Sequence, residues 1–83
     1  MADAEFKIMW QTVAYYKALS NPKRLAILKL VAVQEKTVGD IVKRLHLRQA
    51  NVSQHLMLLK EAGVIVMRRS GKNVYYHLKN GTK

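Results

Sequence analysis

Gln49, Asn51, Ser53 and Gln54 lie within six consecutive positions, and their short amide and hydroxyl side chains suit hydrogen bonding to the edges of nucleobases. Gln can pair bidentately with adenine, Ser can serve several bases, and the methyl of Ala50 among them can touch that of thymine. Arg48 places a cation immediately before this set. A second set follows downstream, where Arg68, Arg69, Lys72 and the amide of Asn73 surround Gly71. Those residue types suit phosphate contact, or an Arg entering a minor groove. Each set alone is ordinary, because polar residues are common in the first turn of a helix and cations are common in solvated turns. Their spacing in one short stretch is what points to a polyanion read by shape and by base edge.

Such residues act only if regular elements hold them. Residues 49–62 read as a helix closed by Gly63, which can take positive φ as a C′ residue. Setting Val52 at the centre of its buried face puts Leu56 and Leu59 within about 40° at 100° per residue. His55 and Ala62 then flank the buried face, while Ala50, Ser53, Gln54, Met57 and Glu61 face outward. Thr37 with Asp40 three residues on reads as a capping box, opening a helix to about Leu45 whose Ile41, Val42 and Leu45 face inward. His46-Leu47-Arg48 is the turn between the two. Two β-rich runs, Val64–Met67 and Val74–Leu78, flank a Ser-Gly-Lys-Asn turn and signal a hairpin.

Upstream, Asn21 suits an N-cap and Pro22 the first position of a helix over residues 22–33. Leu25, Leu28 and Val31/Ala32 are expected on its core side, with Lys23, Arg24 and Lys29 in water. Residues 3–19 read as an amphipathic helix that holds the one Trp and the one Phe of the chain. Phe6, Met9, Trp10, Val13 and Tyr16 are expected to form a dimer surface, where aromatic residues and Met are enriched.

Composition narrows the function further. Fifteen Lys and Arg against five Asp and Glu give a formal net charge of +10 on 83 residues, which favours a polyanionic partner. Without any Cys, disulfides, thiolate metal sites and thiol redox sensing are excluded. His46, His55 and His77 show no close metal-ligand spacing, so no metal and no cofactor are expected. The carboxylates Asp3, Glu5, Glu35, Asp40 and Glu61 form no evident pair, and Ser53 with His55 two positions on diverges around a helix, so an enzyme is not expected. No run approaches the roughly 20 apolar residues of a membrane span. A cytoplasmic location, away from membranes, is the expectation.

The blocks ALSNPKRLAILKLV, TVGDIVKRLHLRQANVSQHLMLLKEAGVI and RRSGKNVYYHL resemble successive parts of the ArsR/SmtB (arsenic-repressor) family of winged-helix transcription factors. The resemblance covers about Ala18 to Leu78. It implies homodimers that bind inverted-repeat operators and repress transcription until an inducer binds. It also implies that Gln49, Ala50, Ser53 and Gln54 approach bases and that residues 68–73 form the wing. Metal-sensing members carry Cys-Val-Cys-Asp where this chain has Thr37-Val38-Gly39-Asp40, so thiolate sensing there is excluded. Other members hold zinc between two C-terminal helices. The sequence stops soon after the hairpin, so neither that site nor that helix is expected, and the first helix is left to supply most of the dimer surface. Arg48 stands where the family commonly has a Ser-type cap.

The expectation is therefore one mainly α winged helix-turn-helix domain over residues 1–83 with a small β-hairpin. Its parts are a dimerisation helix at 1–19, a helix-turn-helix at 37–62 and a wing at 64–78. As a homodimer it would bind double-stranded DNA in sequence-specific fashion, as a repressor. Two alternatives remain at this point: a non-specific architectural DNA-binding protein, and a winged-helix protein-interaction module.

Overall fold

Local signals set the helix boundaries in the computed structural model, which describes residues 16–79. Residues 16–19 are helical, and three helices follow: α1 (Pro22–Val33), α2 (Val38–Leu45) and α3 (Gln49–Glu61). Asn21 caps α1, its Oδ1 accepting from the amides of Lys23 at 2.8 Å and Arg24 at 3.2 Å. Pro22 occupies the first turn, where its missing N–H forfeits no bond. Thr37 and Asp40 form the reciprocal capping box at α2: the Asp40 amide donates to Thr37 Oγ1 at 3.1 Å and the Thr37 amide to Asp40 Oδ2 at 3.0 Å. His46 ends α2 with φ of 57°, a left-handed residue that turns the chain sharply into α3. Gly63, at φ 78°, closes α3, with its N–H bonded to Lys60 O and that of Val64 to Leu59 O.

Strands β1 (Ile65–Ser70) and β2 (Asn73–Leu78) pair antiparallel, with Ile65 opposite Leu78 and Ser70 opposite Asn73. The hairpin is longer and tighter than the sequence suggests. Only Gly71 and Lys72 lie outside the ladder, and Gly71 supplies positive φ at the first turn position. Arg68 and Arg69 consequently sit in strand β1 rather than in the loop. A third extended segment joins the sheet edge: Lys36 bridges Tyr76, its N–H donating at 3.0 Å and its carbonyl accepting at 2.8 Å.

The core draws on all three helices and the start of β1, with Tyr76 of β2 packed half-buried against it. Ile27 and Val31 from α1, Ile41 from α2, Val52, Leu56 and Leu59 from α3, and Val64 and Ile65 at the entry to β1 are buried together with Ala18. The inward sets foreseen for α2 and α3 are observed, with Val42 and Leu45 half-buried beside Ile41. For α1 the expected face is corrected in part: Val31 is buried and Leu28 packs against the core as expected, but Ile27 is fully buried, whereas Leu25 is 41% exposed and Ala32 is exposed. This helix carries apolar residues at eight of its twelve positions, so its sequence shows no dominant stripe and packing chooses the side. Arg24 is also corrected. It is half-buried, its Nε donating to Ala18 O at 2.7 Å and its Nη2 to Lys17 O at 3.1 Å, which ties α1 to the end of the preceding helical residues.

Candidate nucleic-acid interface

On α3 the burial of Val52, Leu56 and Leu59, each at 0–1% exposure, fixes what the opposite side presents. Ala50, Ser53, Gln54 and Met57 are exposed along that side, and Gln49 and Asn51 are exposed on its flanks in the first turn. Hydrogen bonds among the described residues involve no side chain of Gln49, Asn51, Ser53 or Gln54. Their donors and acceptors are thus uncommitted and stand on a rigid support. Arg48 takes the N-cap position with no side-chain cap bond, which leaves the first-turn amides of α3 open to solvent or to an anion.

Cations frame this ridge. Lys43 and Arg44 on α2, Arg48 before α3, Lys60 near its end, and Arg69 and Lys72 on the hairpin are all exposed. An open cleft of about 470 Å³ between the α1–α2 connection, α2 and β2 is lined by Lys36, Lys43 and Arg44 together with Glu35 and Asp40. Both carboxylates already have internal partners. The amide and hydroxyl of Thr37 hold Asp40 below the usual carboxylate range, and the Arg68 guanidinium does the same to Glu35.

Of the expected wing residues, Arg69, Lys72 and Asn73 are exposed near the tip, and Asn73 Nδ2 lies 3.5 Å from the Tyr75 hydroxyl. Arg68 behaves differently, since it is engaged with Glu35 and Tyr75. Sequence spacing gave no sign of those two partners, because Glu35 lies 33 residues away and Tyr75 is brought opposite Arg68 only by the strand register. Of the expected dimer residues, Phe6, Met9, Trp10 and Val13 lie outside the described residues, and Tyr16 is 67% exposed.

The three histidines stand on separate elements. His46 is exposed in the turn and His77 is half-buried, its Nδ1 3.0 Å from Leu78 O. His55 is half-buried on α3 with Nδ1 3.4 Å from Arg24 Nη1. Burial, then the charges of Arg24 and Lys23, push its pKa below the ordinary value. Among the described residues, no group of three or more metal-capable side chains converges, and no helix is long and apolar enough to cross a membrane.

The sequence profile of the bacterial regulatory protein family ArsR matches residues 21–66, from the cap of α1 into β1. The chain belongs to the ArsR family. It is 44% identical over 62 residues to the HTH-type transcriptional repressor SmtB of Mycobacterium tuberculosis, a match that covers 75% of this chain and 46% of that protein. It is 37% identical over 68 residues to the transcriptional activator HlyU of Vibrio cholerae, covering 82% of this chain and 63% of HlyU. The chain thus spans about half to two thirds of the length of these relatives. Its fold matches a homodimeric winged helix-turn-helix DNA-binding domain from Mycobacterium bovis with a TM-score of 0.87 at 32% identity, over 94% of this chain and 72% of that one. The architecture of this ArsR-family chain is therefore a winged helix-turn-helix, with an antiparallel two-stranded hairpin after the helices.

Proposed function

We propose that the chain is a sequence-specific DNA-binding transcriptional regulator that acts as a homodimeric repressor on an inverted-repeat operator. The observation that carries this reading is the outward ridge of α3. Its polar side chains are unused within the fold and are held by three buried aliphatic residues on the other face. In a major groove the first turns of such a helix meet base edges, so Gln49, Ala50, Asn51, Ser53 and Gln54 would read sequence. Arg48, Arg69, Lys72 and Asn73 would contact the phosphate backbone on either side and fix register.

The homodimer follows from the M. bovis domain being described as homodimeric and from the aromatic character of residues 6–16. Two α3 helices would then enter successive major grooves about 34–36 Å apart. Repression is supported by the relative named a repressor, while the relative HlyU is named an activator. Double-stranded DNA is the partner in this reading, the cytoplasm the compartment, and neither metal nor membrane takes part.

Selection of bound duplexes from a random pool, paired with the mass of the recovered complex, tests preference and stoichiometry together. A palindromic consensus bound by two chains is the expected result. Recovery of unselected duplexes would favour the architectural alternative that a net charge of +10 also suits.

A further inference from the structure

Adjacent arginines in β1 have different surroundings. Arg68 stands opposite Tyr75 and Arg69 opposite Val74, so strand alternation sends the two side chains to opposite faces of the wing. Nη2 of Arg68 lies 2.6 and 2.7 Å from the two Glu35 oxygens, and its Nε lies 3.2 Å from both. The guanidinium also covers the Tyr75 ring, 5.0 Å from its centroid. Glu35 belongs to the α1–α2 connection, and the next residue, Lys36, is bonded to Tyr76 of β2. Arg68 thereby joins the hairpin to the body of the domain at a point the backbone bridge alone would leave as a single hinge.

We propose that Arg68 is a positioning residue: through Glu35 and Tyr75 it sets the angle at which the wing meets DNA, and phosphate contact falls to Arg69 and Lys72. This rests on the DNA-binding reading above and refines it. A planar guanidinium fork matches a carboxylate in two places and stacks on an aromatic face, which a lysine ammonium cannot reproduce. The carboxylate cancels the charge of Arg68, so the pair offers a phosphate no net attraction. With side-chain exposures of 51% for Arg68 and 29% for Glu35, the pair is wet, and rising salt loosens it.

The experiment titrates the full chain against a selected duplex and a random duplex at several salt concentrations. The proteins are wild type, Arg68→Ala, Arg68→Lys, Glu35→Gln and Arg69→Ala. Loss of one phosphate contact flattens the slope of log affinity against log salt by about 0.9, the result expected for Arg69→Ala. Arg68→Ala leaves that slope nearly unchanged, and Glu35→Gln, which frees a cation, steepens it by up to about 0.9. Both lower the ratio of selected to random affinity by about fivefold or more, and Arg68→Lys does not restore it. In the free protein, the Arg68 Nε–H resonance is protected from exchange in wild type and loses that protection in Glu35→Gln, a readout independent of DNA.

Arg68→Ala flattening the slope as Arg69→Ala does, with Arg68→Lys restoring wild-type behaviour, overturns the positioning role and leaves the DNA reading intact. An unprotected Nε–H in wild type also overturns it. A wild-type chain that distinguishes no duplex from another overturns the DNA reading and the positioning role together.

Discussion

Helix α3 and the hairpin both expose cations or polar groups, yet they are held by different forces. Helix α3 is seated by Val52, Leu56 and Leu59, which are buried against α1 and α2. The hairpin beyond Val66 has no fully buried residue: Tyr76 packs half-buried against the core, and a backbone ladder, one bridge to Lys36 and the Arg68–Glu35 pair hold the rest. Apolar burial is insensitive to moderate salt, whereas an exposed ion pair is screened. The part that would read bases is thus fixed under all ordinary conditions. The part that would grip the backbone is adjustable.

The difference can be broken most forcefully from the helix side. Leu56→Ala should cost about 2–5 kcal/mol of stability, because it removes a fully buried side chain that the neighbouring helices cannot collapse around. Denaturant unfolding measures this, and a loss under about 1 kcal/mol would mean that α3 is not seated by its core face. Thr37→Ala removes the hydroxyl half of the α2 capping box and should cost about 1 kcal/mol in the same measurement.

On the wing, Arg69→Ala should leave thermal stability within about 0.5 kcal/mol, as for a surface substitution away from packed features. It should weaken binding to all duplexes alike, with the salt slope flatter by about 0.9. A sequence-dependent loss would instead place Arg69 at base edges.

The smallest effect expected is one of pH. His55 has a folded pKa below its ordinary value of 6.5, so as pH falls through about that value the unfolded chain takes up the proton before the folded one. Its contribution is complete above that range and declines as pH falls toward the lowered folded pKa. His55→Gln, which keeps an acceptor for Arg24, should flatten this acid limb in unfolding curves taken between about pH 7 and 5. An unchanged limb would assign the acid sensitivity elsewhere.

Much of this contrast was legible in the sequence, and unevenly so. Helix ends could be read because their causes are local: Asn21 with Pro22, Thr37 with Asp40, and Gly63 each act within a few residues. The outward ridge of α3 was legible because three aliphatic residues at helical spacing fix one face. The buried side of α1 was legible only in part, through Leu28 and Val31, since apolar residues surround that helix and only its neighbours select Ile27 over Leu25. The partners of Arg24 and Arg68 were hidden for the same physical reason. Arg24 reaches back to the preceding helical residues and across to His55, and Arg68 reaches Glu35, contacts set by tertiary geometry and strand register rather than by local spacing. The wing, where long-range pairing decides most, was accordingly the region whose details sequence reading placed least well.

The most direct measurement is a competition titration of Gln54→Ala against wild type on a selected duplex and on random DNA at one moderate salt concentration. If the exposed ridge of α3 reads bases, the variant loses about 1–3 kcal/mol on the selected duplex and little on random DNA, relaxing preference at one position of each half-site. Equal losses on both would contradict direct readout by this helix.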